Sequence, residues 1–311
     1  MVNQNYQKLK IFSGFFPLFF LLFSCASTPT TEKFYKGRSG FGLMAEGASL
    51  YITADVQSVR PIVDALVLGG LSGSEIKQFL DMTDILTAAI FNSPGERHFY
   101  AAAAGNFPSG RVGYFFSTNK DWEKKVSASG LSYWHSARSG LSASISANKA
   151  YLSDRDPFVN APGARVPEAL PPMQKDSVLS GWMNNPSPAI NRLIAALEVP
   201  IEIPAELLLF AVYREDDVKT AKSKKAEEQK YTALLRFETR ASAQAAGLVT
   251  IFTMARMGIA LADFSERREM EALAKAFFSR NPRQDGNALI IQTGTMNGKD
   301  LALLFNAISV Y

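Results

Sequence analysis

One cysteine and two histidines are all that 311 residues hold of the commonest metal-ligating side chains. A disulfide takes two thiols, and a structural zinc site takes four ligands drawn mainly from these two residue types. The chain can therefore form no disulfide within itself, and a metal site would need carboxylates gathered from distant segments. His98 and His135 stand in no HxxxH or HxH spacing, and no GxSxG elbow offers a nucleophile for a Ser-His-Asp hydrolase. Charge of one sign is scarce too. The formal net charge is +4, from 33 basic and 29 acidic residues, and Lys8 and Lys10 supply two of those positive charges. The rest of the chain is near neutral and offers no field for nucleic acid, despite a whole-chain pI near 9.0. Long internal apolar runs are also missing. The most apolar internal segment, Gly247–Ala262, carries Arg256 inside it, and a central arginine costs ~2.5–3.5 kcal/mol on membrane-insertion scales. That segment reads as a core helix sandwiched between a sheet and another layer.

What is present begins at the N-terminus. Met1–Lys10 is polar and holds two lysines and no acid, and Ile11–Phe23 is almost wholly apolar, interrupted by Gly14 and Pro17. A spanning helix needs about 20 apolar residues, so this run is short for a permanent anchor and suits a secretory signal. Directly after it comes Leu22-Phe23-Ser24-Cys25, with the sole cysteine just past the apolar run. The arrangement resembles a bacterial lipobox, and bulky Phe23 resembles the looser form of spirochaete-type lipoproteins. The resemblance covers only the first 25 or so residues. It implies that residues 1–24 are a signal peptide, that Cys25 is lipidated and becomes the new N-terminus, and that the membrane is a partner through that lipid. Residues 25–44, rich in Ser, Thr, Pro and Gly, then read as a flexible tether. Neither Ala26 nor Ser27 is acidic, so an aspartate-type inner-membrane retention signal is absent and outer-membrane placement is favoured.

Beyond the tether, the pattern predicts an α+β protein built as two similar ferredoxin-like halves, each an antiparallel sheet with helices on one face. The first unit is expected over residues 45–154 and the second over 176–311. Residues 155–175 form the linker, with prolines at 157, 162, 167, 171 and 172. Leu50–Val56 alternates as a half-buried strand does and leads through Pro61 into an apolar-periodic stretch. Ser72–Glu75 has capping-box spacing and opens a predicted helix running to about Phe91. Arg97–Asn106 and Arg111–Thr118 read as a hairpin, Asp121–Ala128 as a short helix, and Leu131–Arg138 and Leu141–Ala147 as strands. Val178–Met183 and Pro188 repeat Tyr51–Val56 and Pro61 at a constant offset of 127 residues. Strands Glu206–Arg214 and Tyr231–Thr239, helices Ser242–Ala262 and Glu266–Ser279, strand Ala288–Thr293 and helix Asp300–Ile308 complete the second half. The run Arg214–Lys230, five lysines among five acids, reads as a solvated loop.

Chemistry-bearing motifs are few. Ser74 and Lys77 match SxxK, the pairing that puts a serine nucleophile and its lysine on one helical turn in the penicillin-recognising enzymes. The same spacing recurs at Ser117–Lys120 and Ser146–Lys149, and no KTG follows. Asp81 and Asp84 fall on one face of the predicted helix, as do Glu266 and Glu269 on theirs, and solvated faces account for both. The aromatic residues Phe99, Tyr100, Tyr114, Phe115, Phe116, Tyr133, Trp134 and Trp182 concentrate in predicted strands, where core packing is their ordinary use. The reading that follows is a non-catalytic envelope lipoprotein, a binding or scaffold module in the periplasm or at the cell surface, with no cofactor and no metal. One alternative is a carrier of a lipid or other apolar ligand. A second is a serine hydrolase using Ser74 and Lys77.

Overall fold

A computed structural model describes residues 48–63, 80–93, 96–158, 177–188, 190–191, 202–215, 229–261 and 268–309. The chain is α+β, dominated by antiparallel sheet, and divides into two compact units. One comprises Met1–Gln57 with Leu71–Glu168, the other Ser58–Gly70 with Ala169–Tyr311.

The first unit contains strands β1 (Leu50–Asp55), β2 (Thr83–Ser93), β3 (Glu96–Gly105), β4 (Trp122–Val126), β5 (Ser132–Ser136), β6 (Leu141–Ile145) and β7 (Lys149–Ser153), with helix α1 (Ser109–Thr118) between β3 and β4. Its strand order is β1-β2-β3-β7-β6-β5-β4. Register sorts the side chains. Trp134 lies opposite Ala143, and Ala143 opposite Leu152, so these three share one face. Val112 and Phe116 of α1 complete a core there with Trp122 and Leu141, and Phe115 packs against it. Phe116 sits 4.8 Å from Trp122 and 5.5 Å from Trp134, ring centre to ring centre. The opposite face carries Tyr133, His135, Ser142, Ser144, Tyr151 and Ser153. Gly105 ends β3 because the backbone closes on it: a Cβ there would lie 1.9 Å from the Met82 carbonyl oxygen.

The second unit contains β8 (Leu179–Asn184), β9 (Leu207–Arg214), β10 (Lys230–Glu238), β11 (Arg283–Asp285), β12 (Ala288–Gln292) and β13 (Met296–Asn297). Its helices are α2 (Ser242–Leu261), α3 (Arg268–Phe277) and α4 (Gly298–Ser309). The order is β11-β12-β10-β9-β8, with β13 also on β10. In β9, Leu208 through Val212 are all buried, so both sheet faces are covered there; the near-continuous apolar run is what such a strand requires. Asn297 caps α4 reciprocally: its side chain accepts from the Asp300 amide at 2.9 Å, while the Asp300 carboxylate accepts from the Asn297 amide at 3.3 Å. Tyr231, fully buried, donates from its hydroxyl to the Ser58 carbonyl at 2.9 Å and to Gln229 Oε1 at 2.8 Å. Burial holds its hydroxyl proton, pushing the pKa up to about 12.

Several sequence expectations change. A ferredoxin-like unit carries a helix across the sheet between parallel strands. Here β1, β2 and β3 pair in chain order, as do β8, β9 and β10, all antiparallel. The helical turns after β1 and β8 thus sit in connections that reverse the chain and form no crossover. Both turns are nevertheless alike, each burying an isoleucine, Ile62 and Ile190. Thr83–Ser93, expected within a helix, is a strand. Its Ala and Leu content fits either structure, and pairing with two neighbours favours its Thr and Ile residues in the extended form. Arg111–Thr118, expected as a strand, belongs to α1, where Val112, Phe115 and Phe116 recur at helical spacing. The short helix expected at Asp121–Ala128 is β4, whose Trp122 points into the core while Glu123 points away.

Candidate functional site

Cys25, Ser74 and Lys77 lie outside the described residues, as does most of the charged run before Lys230. The other SxxK serines serve turns: Ser117 donates to the Tyr114 carbonyl, and Ser146 to that of Lys149. Asp81 and Asp84 do not share a helix face, since Asp84 lies in β2. Burial, reinforced by the nearby Asp55 carboxylate, raises its pKa. Glu266 and the side chain of Glu269 fall outside the description.

His98 Nδ1 lies 3.2 Å from Asp154 Oδ2, and the other oxygen of that carboxylate accepts from the Phe99 amide at 3.1 Å. Ser153 beside it donates to the Phe99 carbonyl. These contacts clamp β3 to the end of β7. His135 is the more suggestive group. The register sets Glu123 of β4 opposite it on one side and Ser142 of β6 on the other, and Nδ1 is 3.0 Å from Ser142 Oγ. A Glu-His-Ser row of this kind resembles a catalytic triad on paper. Ser142, however, is 1% exposed, so no substrate carbonyl can approach its hydroxyl. Burial first, then Lys125, holds the His135 pKa below its ordinary value, with Glu123 acting in the opposite sense. The row is a polar ladder. Sequence reading missed it because it depends on the β4–β5–β6 register. Among the described residues, no group of three or more His, Cys, Asp or Glu side chains could hold a metal ion.

Most of the aromatic surplus is core. Phe116 and Trp182 are buried, as is Tyr100, while Phe99, Phe115 and Trp134 pack against the α1 cluster. Tyr133 and Tyr151 lie on the other sheet face, both edge-on to Phe158. Tyr114 alone of the eight stands out into solvent, at 69% exposure.

The unusual surface belongs to α2. Its inner stripe, Ala245, Leu248, Phe252 and Ile259, is buried. Phe252 stacks at 5.4 Å on Phe278 and lies 6.2 Å from Phe277. The outer stripe follows the same helical period through Ala243, Gly247, Thr250, Ile251, Met254 and Met257, all exposed and none charged. Ile251 is 38% exposed, Met254 58% and Met257 66%. Arg256 is half-buried and hydrogen-bonds Asn281. Among the described residues the expected sandwich is therefore half built: one side of α2 packs inward and the other is exposed. Among the described residues, no helix is long and apolar enough to cross a membrane.

Residues 36–152 match the model of a family described as outer membrane-associated lipoprotein TP0453. Solved structures of TP0453 share the fold. Crystal form I gives a TM-score of 0.55 at 15% identity, covering 88% of this chain and 99% of that one. Form III gives 0.55 at 16% over 87% and 99%, and form IV gives 0.54 at 14% over 88% and 99%. No curated protein matches the chain in sequence. Over residues 36–152 the chain is thus similar to an outer membrane-associated lipoprotein family, and over most of its length it shares the TP0453 fold.

Proposed function

We propose that the chain is a non-catalytic envelope module that lies on a bilayer surface through the outer face of α2 while lipid on Cys25 holds it there. Residues 1–24 are removed as a signal peptide, and residues 25–44 tether the folded part. The observation that carries this reading is the exposed stripe Ile251, Met254 and Met257 on a helix whose opposite stripe already fills the core. Fully burying a side chain of this size is worth about 1.5–3 kcal/mol. At their observed exposures, the three together would contribute roughly 3 kcal/mol on leaving water. A single acyl chain gives only marginal attachment, so a contribution of that size changes residence at the membrane appreciably. The helix would lie in the interface plane without spanning, since Arg256 stays at the rim.

Protein beginning at Ala26, lacking lipid, is expected to float with phospholipid vesicles. I251S/M254S/M257S should float at least about tenfold less, each tenfold being 1.4 kcal/mol. Equal flotation of both proteins would refute the contact. Separately, Cys25→Ala should abolish acyl-chain incorporation in cells, and retained incorporation would refute the lipidation site.

A further inference from the structure

We propose that Met254 and Met257 form an oxidation site, and that their conversion to sulfoxides releases α2 from the bilayer; this rests on the bilayer contact proposed above. The two thioethers are one helical turn apart on the outer stripe, 58% and 66% exposed. Two other methionines among the described residues, Met82 and Met296, are placed differently. Met296 is 1% exposed, and Met82 is packed against the cores under α1 and β3. Exposure decides which thioether a soluble oxidant reaches, and both sulfurs are open to it whenever α2 is off the bilayer, so that oxidation there prevents its return. Neither outer sulfur contributes to the core of its unit, so oxygen can be added to both without disturbing Phe252 or its partners.

The oxidant is a two-electron peroxide such as hydrogen peroxide. The sulfur lone pair attacks one peroxide oxygen, an S–O bond forms and the O–O bond breaks. Sulfur is oxidised from thioether to sulfoxide, and the remaining hydroxide takes the proton to leave as water. Each event turns a flexible apolar side chain into a polar one. Two events on a stripe whose third large member is Ile251 remove most of the apolar surface that would enter lipid. Methionine is the residue that makes this possible, since leucine or isoleucine would give the same contact with no such chemistry. The redox state of the surroundings is thereby linked to residence of the folded part on the membrane, while the lipid anchor stays in place.

The test uses the full mature chain in phospholipid vesicles, with a nitroxide attached at Gly247→Cys. That position is on the outer stripe, and a Cβ there meets nothing within 4 Å. Hydrogen peroxide is added, sulfoxide is followed peptide by peptide, and label accessibility to a lipid-phase and an aqueous relaxation agent is compared. Met254 and Met257 are expected to oxidise at least about tenfold faster than Met296, and the label is expected to pass from lipid to water as they do. In M254L/M257L the label should remain in lipid throughout. Oxidation no faster than at Met296 would overturn the inference, as would a label that stays in lipid after both sulfoxides have formed. A label already in water before peroxide is added refutes the bilayer contact itself, a separate result.

Discussion

Helices α1 and α2 each lay one stripe against the core of their own unit, yet only α2 needs a second explanation. In α1 the apolar residues Val112, Phe115 and Phe116 point inward, and Tyr114 is the one large apolar side chain left outside. In α2 an inner stripe of equal quality, built around Phe252, is matched by an outer stripe that is exposed and carries no charge. Folding requires one apolar face on a surface helix. A second adds an aggregation hazard and no stability among the described residues, so its presence calls for a further role.

The inner faces should prove equivalent, and this is the largest expected effect. Phe116→Ala and Phe252→Ala should each cost about 3–5 kcal/mol in urea unfolding, as deletion of a buried aromatic does. A loss under 1 kcal/mol at Phe252 would mean that α2 is not anchored by its inner stripe. The outer faces should then differ. I251S/M254S/M257S should change stability by about 0.5 kcal/mol per site or less while lowering vesicle binding at least about tenfold. Tyr114→Ser should change neither.

Smaller effects probe the frames that hold the two helices. Tyr231→Phe removes two hydrogen bonds and should cost about 1 kcal/mol at neutral pH. It should also flatten the alkaline limb of the stability curve. The folded pKa of Tyr231, about 12, exceeds its ordinary 10.0, so wild-type stability falls as pH rises through that interval. In the first unit the sign reverses. The folded pKa of His135 lies below its model-peptide value of 6.5, so the unfolded chain takes up more protons as the solution is acidified, and stability falls below about pH 6.5. His135→Asn should remove part of that acid dependence. An unchanged acid limb would show that His135 is not its source.

Much of the second unit was legible in the sequence. Strands β8, β9, β10 and β12 and helices α2, α3 and α4 fall where periodicity puts them, because each is long, or uniformly buried, or capped as α4 is by Asn297 and Asp300. The first unit was harder to read. Thr83–Ser93 mixes alanine with β-branched residues and satisfies both periods, and α1 has a glycine-rich start that hid the spacing of Val112, Phe115 and Phe116. Short β11 and β13 have too few residues to show any period. The ferredoxin-like arrangement was inferred from element order alone, and order does not determine which strands pair. The apolar character of α2 was plain in the sequence. What the sequence could not show was that one side would remain uncovered, since coverage is decided by packing at long range. The Glu123-His135-Ser142 row was invisible for the same reason.

The most direct test is the depth of α2 in the mature, lipidated protein on vesicles. A nitroxide at Gly247→Cys should be relaxed by dissolved oxygen and shielded from an aqueous nickel complex. A second label at Tyr114→Cys on α1 should show the opposite. Both labels open to nickel would contradict the account, leaving the outer face of α2 without a bilayer role.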